Sequence, residues 1–168
     1  MLVLLYEVRQ YNQFIPFCKV SKNLRNLARN AKISYAKFNL PILSNREGFF
    51  VGYGYDRWEY NGTILISIRT IDEDIDFLKK YGLKIEKSKN VRVNIPYYGL
   101  QLKKISPTKT FIKLIMNSDP KLRLIPSTII NFFIRKFGDV VFNKMTALAK
   151  NIKGTDWEKQ INKNPVFY

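Results

Sequence analysis

The chain has 168 residues, 46% of them apolar and 14% aromatic, and a net charge of +16 from 29 Lys+Arg against 13 Asp+Glu. This length suggests one domain over 1–168, and the apolar fraction is ample for a core, which argues against a disordered tail. With no His and a single cysteine, Cys18, the sequence excludes His-based catalysis, a structural zinc site and an internal disulfide; a reducing, cytoplasmic setting is expected, with peripheral contact to membranes.

The apolar start, Met1-Leu-Val-Leu-Leu-Tyr, is interrupted by Glu7 and Arg9, so it reads as neither a signal peptide nor a membrane span. Residues 2–14 suit a short helix stopping before Pro16, because proline disfavours helix in the residue preceding it. Residues 31–40 alternate as a strand, punctuated by Pro41 and Ser44-Asn45. The run 47–60 is rich in aromatics and is broken by Gly48, Gly52 and Gly54, which mark a bulged strand. Asn61-Gly62 then leads into Thr63-Ile-Leu-Ile-Ser-Ile-Arg-Thr-Ile, the pattern of a hairpin, and that turn accounts for the Asn-Gly-Thr triplet without a glycan. Residues 72–90 are charged and read as a long excursion with a helical turn near Ile75–Tyr81. Strands are expected at about 91–105 and 109–117, flanking Ser106-Pro107. Pro126 and Ser127 open a long helix, about 127–151, in which Ile130, Phe133, Ile134, Phe137, Val141, Met145 and Leu148 recur at three- and four-residue steps. Gly154 lies beyond its end. The expected fold class is therefore α+β, an antiparallel curved sheet with a C-terminal helix across its concave side.

Several stretches together resemble the START lipid-transfer domains of the helix-grip superfamily. Pro41-Ile-Leu-Ser-Asn-Arg46-Glu47-Gly-Phe-Phe is similar to that family's Pro…Arg-Asp-Phe strand opening, with Glu47 for Asp. Asn61-Gly62-Thr63-Ile-Leu-Ile-Ser resembles the following hairpin, and Asn90-Val91-Arg92-Val93 resembles the point where the sheet resumes. Asp119 through Pro126-Ser-Thr-Ile-Ile-Asn131 resembles the approach to the closing helix. The resemblance covers about residues 1–150 and implies a non-catalytic domain that holds a lipid. It also implies an N-terminal helix and strands ahead of Met1, so the sheet is expected to be incomplete at that end. Gly52 stands where sterol-carrying members place an Arg, which leaves the ligand open. Tyr11-Asn-Gln-Phe-Ile-Pro16-Phe17-Cys18 is similar to a stretch in the coenzyme-Q-binding branch of the superfamily, so a prenyl quinone is the alternative ligand.

Ligand contacts expected on the helix are Ile130, Ile134, Phe137, Val141 and Met145; their bland alternative is a solid core. One strand register turns Phe50, Ser67, Arg69, Ile95, Tyr97 and Leu100 inward, and a one-residue slip inverts the set. Arg69 reads either as a contact to a ligand head or as a solvated residue at a strand end, while Arg46 and Glu47 are expected to fix the strand opening. In the excursion, Phe77, Leu78 and Tyr81 beside Lys79, Lys80 and Lys84 suit transient contact with an anionic membrane, or else belong to a plain surface loop. The spread of lysines, with no continuous basic stripe, favours this over a basic nucleic-acid-binding domain, the remaining alternative. No spacing of Asp, Glu, Lys, Tyr, Ser or Cys suggests catalytic partners, and no cofactor or metal is expected. The oligomeric state is not readable from the sequence.

Overall fold

The computed structural model describes residues 1–40, 43–119, 121, 125–165 and 167, with the side chains of Ser127 and Phe133 excepted. Pro41 and most of the approach to the long helix, 120 and 122–124, therefore lie outside the described residues, as does the side chain of Phe133 in the helical stripe.

The chain opens with α1 (Leu2–Tyr6) and a 3-10 turn, Val8–Gln13. Three strands follow: β1 (Cys18–Ala28), β2 (Ala31–Phe38) and β3 (Arg46–Arg57). A single helical turn, α2 (Trp58–Asn61), leads to β4 (Thr63–Thr70), then α3 (Ile75–Lys80). The chain ends with β5 (Val91–Arg92), β6 (Asn94–Ser106), β7 (Lys109–Asp119), α4 (Ser127–Lys150) and α5 (Asp156–Lys163). The strands form one open, curved sheet in the order β1-β2-β3-β4-β6-β7, antiparallel throughout except for β5, which pairs parallel with β3.

Three elements differ from expectation. The Asn61-Gly62 link is not a two-residue hairpin but the end of α2, closed by Gly62 in the left-handed region at φ 64°, a conformation that favours glycine. Strand β1 is not signalled by its sequence, because Lys19, Lys22, Asn23, Arg25 and Asn26 break any apolar alternation. Helix α5 is too short and polar to stand out, yet its Trp157 is only 1% exposed.

The sheet is packed on both faces. On one side Val3, Leu4 and Phe14 from the N-terminal segment meet Met145 of α4 and Trp157 of α5, with Ile112, Val141 and Leu148 packed alongside. On the other side Ile33 and Val51 meet Ile71 and Phe77, so the 72–90 excursion folds back over the outer face. Asp74 starts α3 by accepting a hydrogen bond from the Phe77 N–H at 3.0 Å, which turns Phe77 toward the sheet.

Candidate functional site

The pairing register decides which side chains face α4. Phe50 lies opposite Thr70, Ile66 opposite Leu100, and Leu100 opposite Leu114; Ile68 lies opposite Tyr98, and Tyr98 opposite Met116. Side chains alternate along a strand and match across it. One face therefore carries Phe50, Ile64, Ile66, Ile68, Tyr98, Leu100, Leu102, Ile112, Leu114 and Met116. It is the helix side, because its Ile112 packs in the cluster with Met145 and Val141.

Above this floor, the α4 stripe predicted from spacing runs through Ile130, Ile134, Phe137, Val141 and Met145. Met145 is buried; Ile130, Ile134 and Val141 are half-buried; Phe137 is exposed. Met145 ends in the tight cluster with Trp157, so the C-terminal half of α4 is closed against the sheet. The N-terminal half is not. Leu114 stays 49% exposed on the floor, and Phe132 is 57% exposed on the helix, with Ile129, Val140 and Met116 exposed as well. Polar residues, among them Asn131, Arg135, Asp139 and Asn143, occupy the opposite side of α4, so the exposed Ile129, Phe137 and Val140 belong to its apolar side. The result is an apolar floor and an apolar helix that close at one end and stay open at the other.

Polar groups near this surface are few. Tyr11 donates its hydroxyl hydrogen to the Leu5 carbonyl at 2.5 Å, and burial, with Tyr98 nearby, raises its pKa. Burial likewise pushes Tyr98 up to about 12. Both phenols are thus held neutral, as donors rather than charges. Two hollows among the described residues lie elsewhere. One of about 260 Å³ is lined by Arg69, Asp72, Asp74, Arg92 and neighbours; one of about 210 Å³ lies beside Tyr6, Arg9, Asn23 and Lys32. Both are polar and small for a lipid. Among the described residues, no group of three or more Asp, Glu or Cys is placed to hold a metal ion.

The predicted contacts divide accordingly. Phe50 and Leu100 share the helix-side face with the α4 stripe. Ser67, Arg69 and Tyr97 do not: the register is one residue away from that assumed, and it puts them on the outer face. Arg69 lies opposite Val51, pairs with Asp74 at 2.7 Å and sits over the Phe77 ring at 5.3 Å. It anchors the excursion instead of meeting a ligand head. Ile95 lies in the irregular stretch of β6 between Asn94 and Tyr97, where its N–H donates to Thr70 Oγ1 at 3.2 Å. Sequence reasoning missed Ile64, Ile66, Ile68, Tyr98, Ile112, Leu114 and Met116. The Ile-x-Ile-x-Ile rhythm of β4 was the available signal, since the positions alternating with those isoleucines include the polar Ser67 and, just after Ile68, Arg69.

The excursion also departs from its predicted role as a membrane contact. Phe77 is buried against Ile33, Val51 and Ile71, and Leu78 and Tyr81 pack beside it, so these three side chains cover the sheet. Of the six predicted contacts, Lys79, Lys80 and Lys84 remain exposed. A buried polar tie secures the same region. Glu47, 3% exposed, accepts from Tyr35 at 2.8 Å and from Asn90 at 2.6 Å and pairs with Arg92 at 3.1 Å; Arg92 also reaches Asp72 at 3.2 Å. Burial pushes the Glu47 carboxyl up, but these hydrogen bonds and Arg92 outweigh it and the net pKa is lowered. Glu47 thus fixes the opening of β3.

An open, curved antiparallel sheet gripping one long C-terminal helix is the helix-grip architecture, here in its START-like form. Human STARD10 matches with a TM-score of 0.70 at 14% identity, over 99% of this chain and 62% of that one. Human StAR-related lipid transfer protein 5 matches at 0.65 and 12%, over 83% of this chain and 64% of that one. A STAR-related lipid transfer protein from Xanthomonas axonopodis matches at 0.62 and 18%, over 90% and 77%. The chain thus spans less than two thirds of the two human proteins. At these identities the likeness is one of fold. No protein-family model matches the sequence, and no curated protein matches it. No described helix is long and apolar enough to cross a membrane.

Proposed function

We propose that the chain is a non-catalytic lipid-binding module. It holds one lipid between α4 and the helix-side face of the sheet, for transfer between membranes or for sensing. The observation that carries this reading is the exposed apolar surface of that pairing: Leu114 and Met116 on the sheet face and Ile129, Phe137 and Val140 on the apolar side of α4 stay exposed. An acyl chain laid there gains about 0.8 kcal/mol per buried methylene, so affinity needs few polar contacts. The START-like fold, and structural neighbours named for lipid transfer, support the same reading. The exposed Lys79, Lys80 and Lys84 suit approach to an anionic leaflet, each adding about 1 kcal/mol near such a surface. The phenol of Tyr98, on the helix-side face, is a candidate donor for a head group or a quinone carbonyl.

Native mass spectrometry of freshly purified protein tests this. A single co-purified lipid is expected, and extraction names it; a prenyl quinone in the extract assigns the ligand to that alternative class. Ile134→Asp, at a half-buried position on the stripe, is expected to abolish loading while the unfolding midpoint moves little. Protein that is lipid-free and indifferent to fluorescent fatty-acid and phospholipid probes defeats the proposal. Retention on heparin that falls steeply with salt supports the nucleic-acid alternative instead.

A further inference from the structure

We propose that α2 and the adjoining end of β6 form a docking surface for an anionic lipid bilayer, at the end of the sheet opposite the opening between α4 and the apolar floor.

Helix α2 joins β3 to β4 and buries none of its four residues. Tyr60 is 79% exposed, and Trp58 and the preceding Tyr55 are exposed as well. The end of β6 runs alongside: the Lys104 N–H donates to the Gly62 carbonyl at 3.0 Å, and the next residue, Ile105, is 60% exposed. Three large aromatic side chains and an isoleucine thus stand in water and belong to neither core cluster. The turn that presents them is tied at both ends. Asp56 accepts the Trp58 N–H at 2.8 Å, and the Gly62 N–H donates to the Trp58 carbonyl at 2.8 Å.

The chemistry of this surface is that of a bilayer interface. Tyr and Trp join an apolar ring to a polar tip, which is why they gather where hydrocarbon meets water. Two cations complete the set: the Arg57 guanidinium lies 4.9 Å from the centroid of the Tyr60 ring, and the Lys104 ammonium 5.5 Å from that of Trp58. Each ring can enter below the head groups while the cation beside it meets a lipid phosphate. Glu59 opposes this in part, but Asp56 is engaged at the turn and the chain as a whole carries +16, so attraction to an anionic leaflet dominates. A single-stranded nucleic acid fits less well, because bases stack on open ring faces. Here one face of each of these rings already carries a cation, and Ile105 offers a base nothing.

The position of the surface sets the orientation. Strand β4 begins beside α2 at Thr63 and ends beside the excursion at Thr70, about 24 Å away at roughly 3.4 Å per residue. The floor is closed near Ile112, which pairs with Leu102 toward the α2 end, and opens toward Met116, which pairs with Tyr98. A molecule docked through α2 therefore turns its opening away from that bilayer. Because β6 and β7 lie between β4 and the sheet edge, any strand added beyond β7 is three strand spacings, about 14 Å, from β4 and flanks α2 without covering it. The docking does not rest on the floor holding a lipid.

Flotation of the full chain with vesicles of phosphatidylcholine and phosphatidylserine tests the proposal. Binding is expected that weakens as salt rises and is lost on phosphatidylcholine alone. Of the two tryptophans, Trp157 is buried, so Trp58 reports the contact: its emission shifts to the blue on vesicles and is quenched by brominated phosphatidylcholine mixed into them. Trp58→Phe leaves Trp157 alone and is expected to show neither change, which separates docking from lipid uptake near Trp157. Trp58→Ser and Lys104→Glu are each expected to weaken flotation by about tenfold or more. Both positions are exposed, and circular dichroism checks that each variant is folded. Flotation that ignores Trp58→Ser overturns the proposal, as does vesicle binding with unchanged Trp58 emission. So does a Trp58 response to RNA that vesicles fail to produce. A lipid retained in native mass spectra without any flotation rejects the docking while leaving lipid holding intact.

Discussion

Lys32 shows how one buried charge becomes a measurable pH dependence. Its ammonium donates to the Tyr6 carbonyl at 2.8 Å and sits 3.2 Å from the centroid of the Tyr6 ring, yet the residue is buried. Burial pulls its pKa down from 10.5 to about 8, with Glu7 opposing and Arg9 adding to the shift. Between these two values the unfolded chain binds the proton and the folded chain does not, so stability from this group rises with pH across that window and carries a penalty below it. Groups shared by wild type and Lys32→Met cancel in a comparison of the two. The unfolding free energy of wild type relative to Lys32→Met is therefore expected to climb from pH 8 to pH 10. Denaturant titrations at several pH values check this, and a flat difference means the ammonium is solvated. At this scale the sequence was silent, since Lys32 is one lysine in a strand, and its burial is decided by α1 folding across β2.

Among the elements, α3 depends on one side chain twice. Asp74 accepts the Phe77 N–H and pairs with Arg69, and these contacts, the backbone hydrogen bond first, lower its pKa. Asp74→Ala is expected to lower stability slightly, through loss of the helix cap, because the ion pair is partly exposed and adds little. Hydrogen exchange localises the effect: amides of 72–90 lose protection while β4 and β6 keep theirs. Uniform loss across the sheet contradicts it. The elements were legible where periodicity was strong. The stripe of α4 follows from spacing alone, and β2, β3, β6 and β7 from alternation and turn residues. Strand β1 and helix α5 were not legible, because β1 is half polar on an exposed edge and α5 is recognisable only by what Trp157 touches. The faces of β4 were misjudged by one residue, and that slip alone exchanged Ser67 and Arg69 for Ile66 and Ile68.

For the molecule as a whole, the two ends of the chain share one cluster. Val3, Leu4 and Phe14 at the start pack against Trp157 near the end, and the Tyr6 ring lies 4.5 Å from that of Phe167. Trp157→Ala is expected to cost about 3–5 kcal/mol, the range for removing a large buried aromatic. Because it frees both α1 and the C-terminal half of α4, the urea midpoint should fall and lipid loading with it. A small change in the midpoint shows that α5 is only appended to the core.

That shared cluster also sets an order of events at birth. At translation speeds of about 5–20 residues per second, the opening Met-Leu-Val-Leu-Leu segment waits on the order of ten seconds for Trp157 to emerge from the ribosome. Throughout that wait Val3 and Leu4 have only the earlier members of their cluster, Phe14 and then Ile112, to pack against, which makes the first few residues a natural foothold for a chaperone.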